Sequence, residues 1–228
     1  MLNETLKNRW CLFARWWCRL FCVTFLRMRF VGLENVPSDG PYILAVNHQS
    51  FLDPLFAGIA LKSQLCFMAR DTLFKSRIFG PLLKSVKAIP VRRGQADITS
   101  IKMIIAKLKQ GEGVCLFPEA TRTTDGRIAP FKGGFGLLCR RGNAPVVPVL
   151  IDGAFECWPR HRKSFKIGSK ITVTYGKPIS VEKITGMEDD VFAAMLTKTM
   201  RDMQSQTRIS EGKQPFNYQN HAKGGAES

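Results

Sequence analysis

Short runs of uninterrupted apolar residues, each closed by a polar corner, recur along this chain and leave few folds open to it. The runs 41–46, 65–69, 88–91, 114–117, 145–151 and 171–175 each read as a strand. Apolar runs this short between turn residues suit strands buried on both faces. Helical patterns lie between them. Ser50 reads as an N-cap, with Asp53 three residues on in the capping-box position. Residues 72–86 read as a helix or helix pair broken at Gly80-Pro81. Ile98, Ile101, Ile104, Ile105 and Leu108 make an apolar stripe that Gly111 ends, and a further short helix stops near Gly142. Strands alternating with helices predict an α/β domain, a layered mixed sheet flanked by helices.

That domain is placed at residues 31–204, and the stretches on either side differ from it. Residues 1–30 are rich in Trp, Phe and Leu but interrupted by Arg9, Arg15, Arg19 and Arg27. A spanning helix needs about 20 mainly apolar residues, and a central Arg opposes insertion by about 2.5–3.5 kcal/mol. The longest charge-free apolar run here is only 20–26. Arg15 and Arg19 also break any signal-peptide core. An amphipathic, membrane-associated helical segment is expected instead, with Trp at the interface and Arg reaching anionic phosphates. A terminal helix packed on the domain's own core is the alternative. Residues 205–228 are polar and aperiodic, and are expected to form a mobile tail.

Charge narrows the partners. Lys and Arg number 34 against 18 Asp and Glu, a net charge of +16. Such a chain seeks nucleic acid, a negatively charged bilayer or phosphorylated substrates. Arg160, Arg162, Lys163 and Lys166 around His161 are a candidate phosphate patch. They lack the interleaved aromatics of a single-strand platform, so nucleic acid is not expected. The seven Cys include no Cys-x-x-Cys pair and no zinc-ligand spacing, which predicts no metal and a reducing, cytosol-facing compartment. Neither a Walker A loop nor G-x-G-x-x-G occurs, so no nucleotide cofactor is expected.

Two constellations carry chemistry. In Asn47-His48-Gln49-Ser50-Phe51-Leu52-Asp53, a His at a strand end stands five residues before a carboxylate. A carboxylate on Nδ1 would fix the tautomer that leaves Nε2 as a base; a plain helix cap at Asp53 is the bland alternative. The second is Phe117-Pro118-Glu119-Ala120-Thr121-Arg122-Thr123 and the loop through Lys132 to Gly136. Polar residues beyond strand C-termini are where α/β sheets hold ligands, and Arg122 and Lys132 suit a phosphate as a fork and a point charge.

Read in order, Asn47-His48-x-x-x-x-Asp53, Ile89-Pro90-Val91-x-Arg93, Phe117–Thr123 and Val147-Pro148-Val149 resemble the four blocks of the glycerolipid acyltransferase family. The resemblance covers about residues 31–180. It implies acyl transfer from acyl-CoA or acyl carrier protein to the free hydroxyl of 1-acylglycerol-3-phosphate, giving phosphatidic acid; the N-terminal segment is expected to lie on the cytoplasmic face of a membrane. Glycerol-3-phosphate or another lysophospholipid is the alternative acceptor, and a non-catalytic lipid-binding protein the alternative class. By the same resemblance His48 is the general base and Asp53 its orienting partner. Arg93, Glu119, Thr121, Arg122 and Lys132 are the implied substrate-binding residues. Three positions depart from the family's habit: Ala120 where Gly is usual, Thr123 where Ser is common, and Arg92 where an acidic residue is frequent.

Overall fold

The computed structural model describes residues 16–63, 65–77, 80, 88–91, 98–162, 164 and 166–218. Its strands are β1 (Arg29–Val31), β2 (Tyr42–Val46), β3 (Leu65–Arg70), β4 (Ile89–Val91), β5 (Gly113–Leu116), β6 (Val146–Asp152) and β7 (Thr172–Tyr175). They form one sheet in the order β1-β7-β6-β2-β5-β3-β4. Every pair is parallel except β6 with β7. The sheet is therefore mixed, as the alternating pattern predicts.

Each central strand feeds both faces, because successive side chains point to opposite sides. Tyr42, Leu44 and Val46 of β2 join one apolar core, together with Val147, Val149 and Ile151 of β6. Ile43 and Ala45 join the other, with Val114, Leu116 and Leu150. This double burial is why these strands read as continuous apolar runs. The first face is covered by α1 (residues 16–25) and α2 (Asp53–Gly58). The second is covered by α3 (Ile98–Lys109), α4 (Phe135–Gly142), α6 (Val181–Thr185) and α7 (Asp189–Ser210). A short helix, α5 (Ala154–Cys157), follows β6.

Several expectations need correction. Ser50 is not the N-cap of α2: the helix starts at Asp53, and the cap residue Leu52 makes no side-chain cap bond. The Asp53 carboxylate serves the preceding corner instead. The expected helix at 72–86 begins as a 3-10 turn, Asp71–Lys75, and its remainder lies largely outside the described residues. Residues 205–218 are not a loose tail. Residues 205–210 finish α7, and beyond them Lys213 meets the buried Asp152 at 3.5 Å. The Tyr218 hydroxyl accepts the Ile128 N–H at 3.0 Å and bonds Gln204. Polar residues hold this segment through hydrogen bonds, so it shows no apolar period. Residues 219–228 lie outside the described set.

The N-terminal helix packs on the domain through one side only. Cys22 and Leu26 are buried in the first core, and so is Met28 just beyond. Several apolar side chains are exposed beside Arg19: Trp16 57%, Trp17 52%, Leu20 42%, Phe21 40% and Phe25 49%. Arg15 and the residues before it lie outside the described set.

Candidate active site

β2, β5 and β6 run parallel and side by side, so their polar corners emerge at one edge of the sheet. Asn47 fixes the first corner. Its side-chain Nδ2 donates to the Ile151 carbonyl at 2.9 Å, and its Oδ1 accepts the Ile151 N–H at 2.7 Å. The amide thus stands in for a peptide group and carries the β2–β6 pairing one residue past the strand.

His48 follows directly. Its Nδ1 lies 2.8 Å from Asp53 Oδ2, and its ring stacks on Phe117 at 4.2 Å and 27°. Asp53 is fully buried, and Oδ2 also accepts the N–H groups of Gln49 at 2.6 Å and Ser50 at 2.7 Å. Burial raises the Asp53 carboxyl above its ordinary range, and the hydrogen bonds from His48, Ser50 and Gln49 oppose that rise. With Nδ1–H given to Asp53, the second ring nitrogen is the one able to take a proton. The one-in-five exposure of the His48 side chain leaves it reachable.

The β5 corner clasps the same residue. Glu119 is buried; its Oε1 accepts the His48 N–H at 2.8 Å, and its Oε2 accepts the Ala129 N–H at 3.1 Å. The His48 carbonyl in turn accepts the Thr123 N–H at 2.8 Å. Burial pushes the Glu119 carboxyl up to about 7. Between Glu119 and Thr123, Ala120 sits in the left-handed region at φ +58°. This accounts for the glycine usual in the resembling family, since only glycine enters that region without steric opposition.

Arg122, one residue before Thr123, holds its guanidinium 3.4 Å from the centre of the Phe51 ring. Phe51 is itself 5.5 Å from Trp158. Thr121 and Lys132 are exposed on the same loop, and the Lys132 N–H reaches the Pro118 carbonyl at 3.4 Å. Arg93, like Arg92, lies outside the described residues; β4, which precedes it, is the edge strand beyond β3. The structure thus joins His48, Asp53 and Glu119 in one hydrogen-bonded unit, with Arg122 beside it.

Three contributors were not singled out from sequence. Asn47 and Phe117 stood inside the quoted motifs without a role. Gln49 stood there too: its Nε2 donates to the Gly126 carbonyl at 3.0 Å and its Oε1 accepts the Phe155 N–H at 3.2 Å, tying the His48 corner to the Gly126 turn and to α5. Three of the buried cysteines offer little as nucleophiles. Burial pushes Cys22 up to about 11 and Cys139 to about 12, and raises Cys115 beyond that. Among the described residues, no group of three or more His, Cys, Asp and Glu is placed to hold a metal ion.

Fold and site together define an α/β domain that presents a His–Asp pair at the C-terminal edge of parallel strands. A family model described as Acyltransferase matches residues 27–152, more than half of the chain. The chain belongs to the acyltransferase family. It is 30% identical over 169 residues to a protein of Brassica napus named 1-acyl-sn-glycerol-3-phosphate acyltransferase BAT2, chloroplastic, covering 73% of this chain and 49% of that one. It is 34% identical over 147 residues to the 1-acyl-sn-glycerol-3-phosphate acyltransferase of Bacillus subtilis, covering 64% and 70%. The chain spans about half the length of the Brassica napus and Arabidopsis thaliana relatives it matches. The crystal structure of the Thermotoga maritima LPA acyltransferase PlsC shares its fold, with a TM-score of 0.66 at 24% identity over 78% of this chain and 71% of that one.

Proposed function

We propose that this protein transfers a fatty acyl group from a thioester, acyl-CoA or acyl carrier protein, to the free hydroxyl of 1-acylglycerol-3-phosphate, forming phosphatidic acid. The observation that carries the reading is the 2.8 Å contact between His48 Nδ1 and Asp53, at the ligand-binding edge of the sheet. His48 takes the acceptor's hydroxyl proton as that oxygen attacks the thioester carbonyl. The C–S bond then breaks and the thiol leaves. Asp53 holds the tautomer and stabilises the imidazolium that forms, help typically worth about 10²–10⁴ in rate.

Arg122 supports the acceptor assignment, because a guanidinium fork suits a phosphate. In this reading Lys132 and Arg93 add positive charge and Thr121 a hydroxyl to the same ligand. Glu119 acts differently: with both oxygens committed to backbone N–H groups, it positions His48 rather than touching the acceptor.

Membrane association on the cytoplasmic face belongs to the same proposal. Its support is the exposed Trp, Leu and Phe side chains of α1 beside exposed Arg27 and Arg29. Among the described residues, no helix is long and apolar enough to cross a membrane.

Purified protein given labelled acyl-CoA and a panel of acceptors tests the reading. Phosphatidic acid made from lysophosphatidic acid is expected. Product on glycerol-3-phosphate alone would replace the acceptor, and lipid binding without product would leave a non-catalytic role.

A further inference from the structure

A depression of about 550 Å³ opens where α1 enters β1, lined by Val23, Thr24, Arg27, Met28, Arg29 and Lys170. Three of its six lining residues are cations. Lys170 has a carboxylate partner, Glu211 at 3.7 Å, but Glu211 is held more closely by Lys213 at 2.8 Å. Among the described residues no carboxylate forms an ion pair with Arg27 or Arg29. Two of the last carbonyls of α1 are occupied by backbone groups. The Cys22 carbonyl already accepts the Leu26 and Met28 N–H groups, and the Phe25 carbonyl accepts the Gly168 N–H at 2.8 Å. Arg27 stands in the left-handed region at φ +45°, where the Met28 N–H bond to the Cys22 carbonyl closes the helix end.

We infer that this depression is a binding site for the phosphate of an anionic lipid headgroup, separate from the acceptor site at His48. Two arginine forks and an ammonium suit a phosphate. The apolar Val23 and Met28 in the same lining, with the exposed aromatic face of α1 alongside, suit the lipid attached to it. Position agrees. Arg29 is in register with Thr172, and Thr172 with Asp152 at the end of β6. The cluster therefore lies on the same edge of the sheet as His48. It is three strands away, about 14 Å at the usual spacing. A protein seated on a leaflet through this site presents its catalytic edge to the same leaflet. The inference rests on the lipid-acylating role proposed above.

The test uses full-length protein and vesicles of phosphatidylcholine, alone or with a minority of phosphatidic acid. The triple substitution Arg27→Gln, Arg29→Gln and Lys170→Gln should weaken binding to the anionic vesicles by about a hundredfold, from roughly tenfold or less for each cation. Binding to neutral vesicles should stay unchanged, as should transfer to a short-chain, water-soluble acceptor. The same charge removed at the exposed Lys102, Lys109 and Lys183 should matter less than threefold, these lying on helices that cover the opposite face of the sheet from α1. Arg27→Lys with Arg29→Lys keeps the charge but removes the forks, and should still lose several-fold. Equal losses in the two triple variants, or no loss in the lysine pair, would overturn the site in favour of diffuse attraction. Calorimetry with inorganic phosphate separates the source. If the glutamine variant lost phosphate binding but kept its vesicle binding, the lipid assignment would be wrong. A wild type inactive on the soluble acceptor would instead fault the catalytic reading, while the vesicle comparison still reads the site.

Discussion

Glu119 holds His48 by its backbone and not by its ring, with Oε1 accepting the His48 N–H at 2.8 Å. The contact couples the β5 corner to the β2 corner through a buried carboxyl that titrates near 7. In the folded chain Glu119 keeps its proton to about pH 7; in the unfolded chain, only to about 4.5. The folded state therefore binds more protons in that window, and stability falls as pH rises through it. One pKa unit is about 1.4 kcal/mol, so the fall is about 3 kcal/mol, complete near neutrality. Glu119→Gln should flatten this part of the profile. Urea unfolding of both proteins between pH 4.5 and 8 measures it, and parallel curves would sink the assignment.

His48 and Asp53 should differ in kind when replaced. His48→Ala removes the base, lowering kcat by about 10²–10⁴ with little change in stability. Asp53→Asn should lose comparable activity: its amide oxygen can still accept from the three donors that face Oδ2, but it carries no charge to stabilise the imidazolium. Asp53→Ala should also destabilise, since the buried Gln49 and Ser50 N–H groups lose their acceptor at about 1–3 kcal/mol each. Labelled acyl transfer and thermal melts separate the three. Near-native turnover by His48→Ala would end the mechanism.

The parts of the fold legible in the sequence were those written in apolar period. β2, β5 and β6 are buried on both faces, so their runs are continuous and bounded by corners that hold the site. What hydrogen bonds organise was not legible. Asn47 extending the sheet, Glu119 gripping a backbone N–H and Gln49 bridging to Gly126 and Phe155 are polar side chains whose partners lie 71 to 106 residues away. No local spacing encodes them. The segment 205–218 failed to register for the same reason. Its hold on the domain runs through Asp152, Gln204 and Tyr218, which carry no hydrophobic stripe.

Ala120 offers a test at the backbone. Its φ of +58° opposes an L-residue by about 1–2 kcal/mol, whereas glycine's added freedom when unfolded takes back about 0.4–1 kcal/mol. Ala120→Gly should therefore stabilise by about 0.5–1 kcal/mol and leave kcat within twofold. Denaturant midpoints would show it. A loss of stability would mean that the alanine methyl makes packing contacts that outweigh the strain.

The last prediction concerns Phe51, which the sequence placed inside the His48–Asp53 motif without a task. Its ring is more than half exposed and carries the Arg122 guanidinium at 3.4 Å, with Trp158 nearby at 5.5 Å. An exposed phenylalanine contributes little to folding, but a ring beneath an arginine fork restricts where that fork points. If Arg122 binds the acceptor phosphate, Phe51 fixes its approach. A cation–π contact is worth about 0.5–2 kcal/mol, so Phe51→Leu should raise the acceptor KM about two- to thirtyfold. Donor KM and kcat should move far less. Phe51→Tyr keeps the π face and should stay near wild type. Phe51→Leu combined with Arg122→Ala should be no worse than Arg122→Ala alone, since the two act as one unit. Steady-state kinetics on the four variants with lysophosphatidic acid decides the matter, and fully additive effects would show that Phe51 works independently of Arg122.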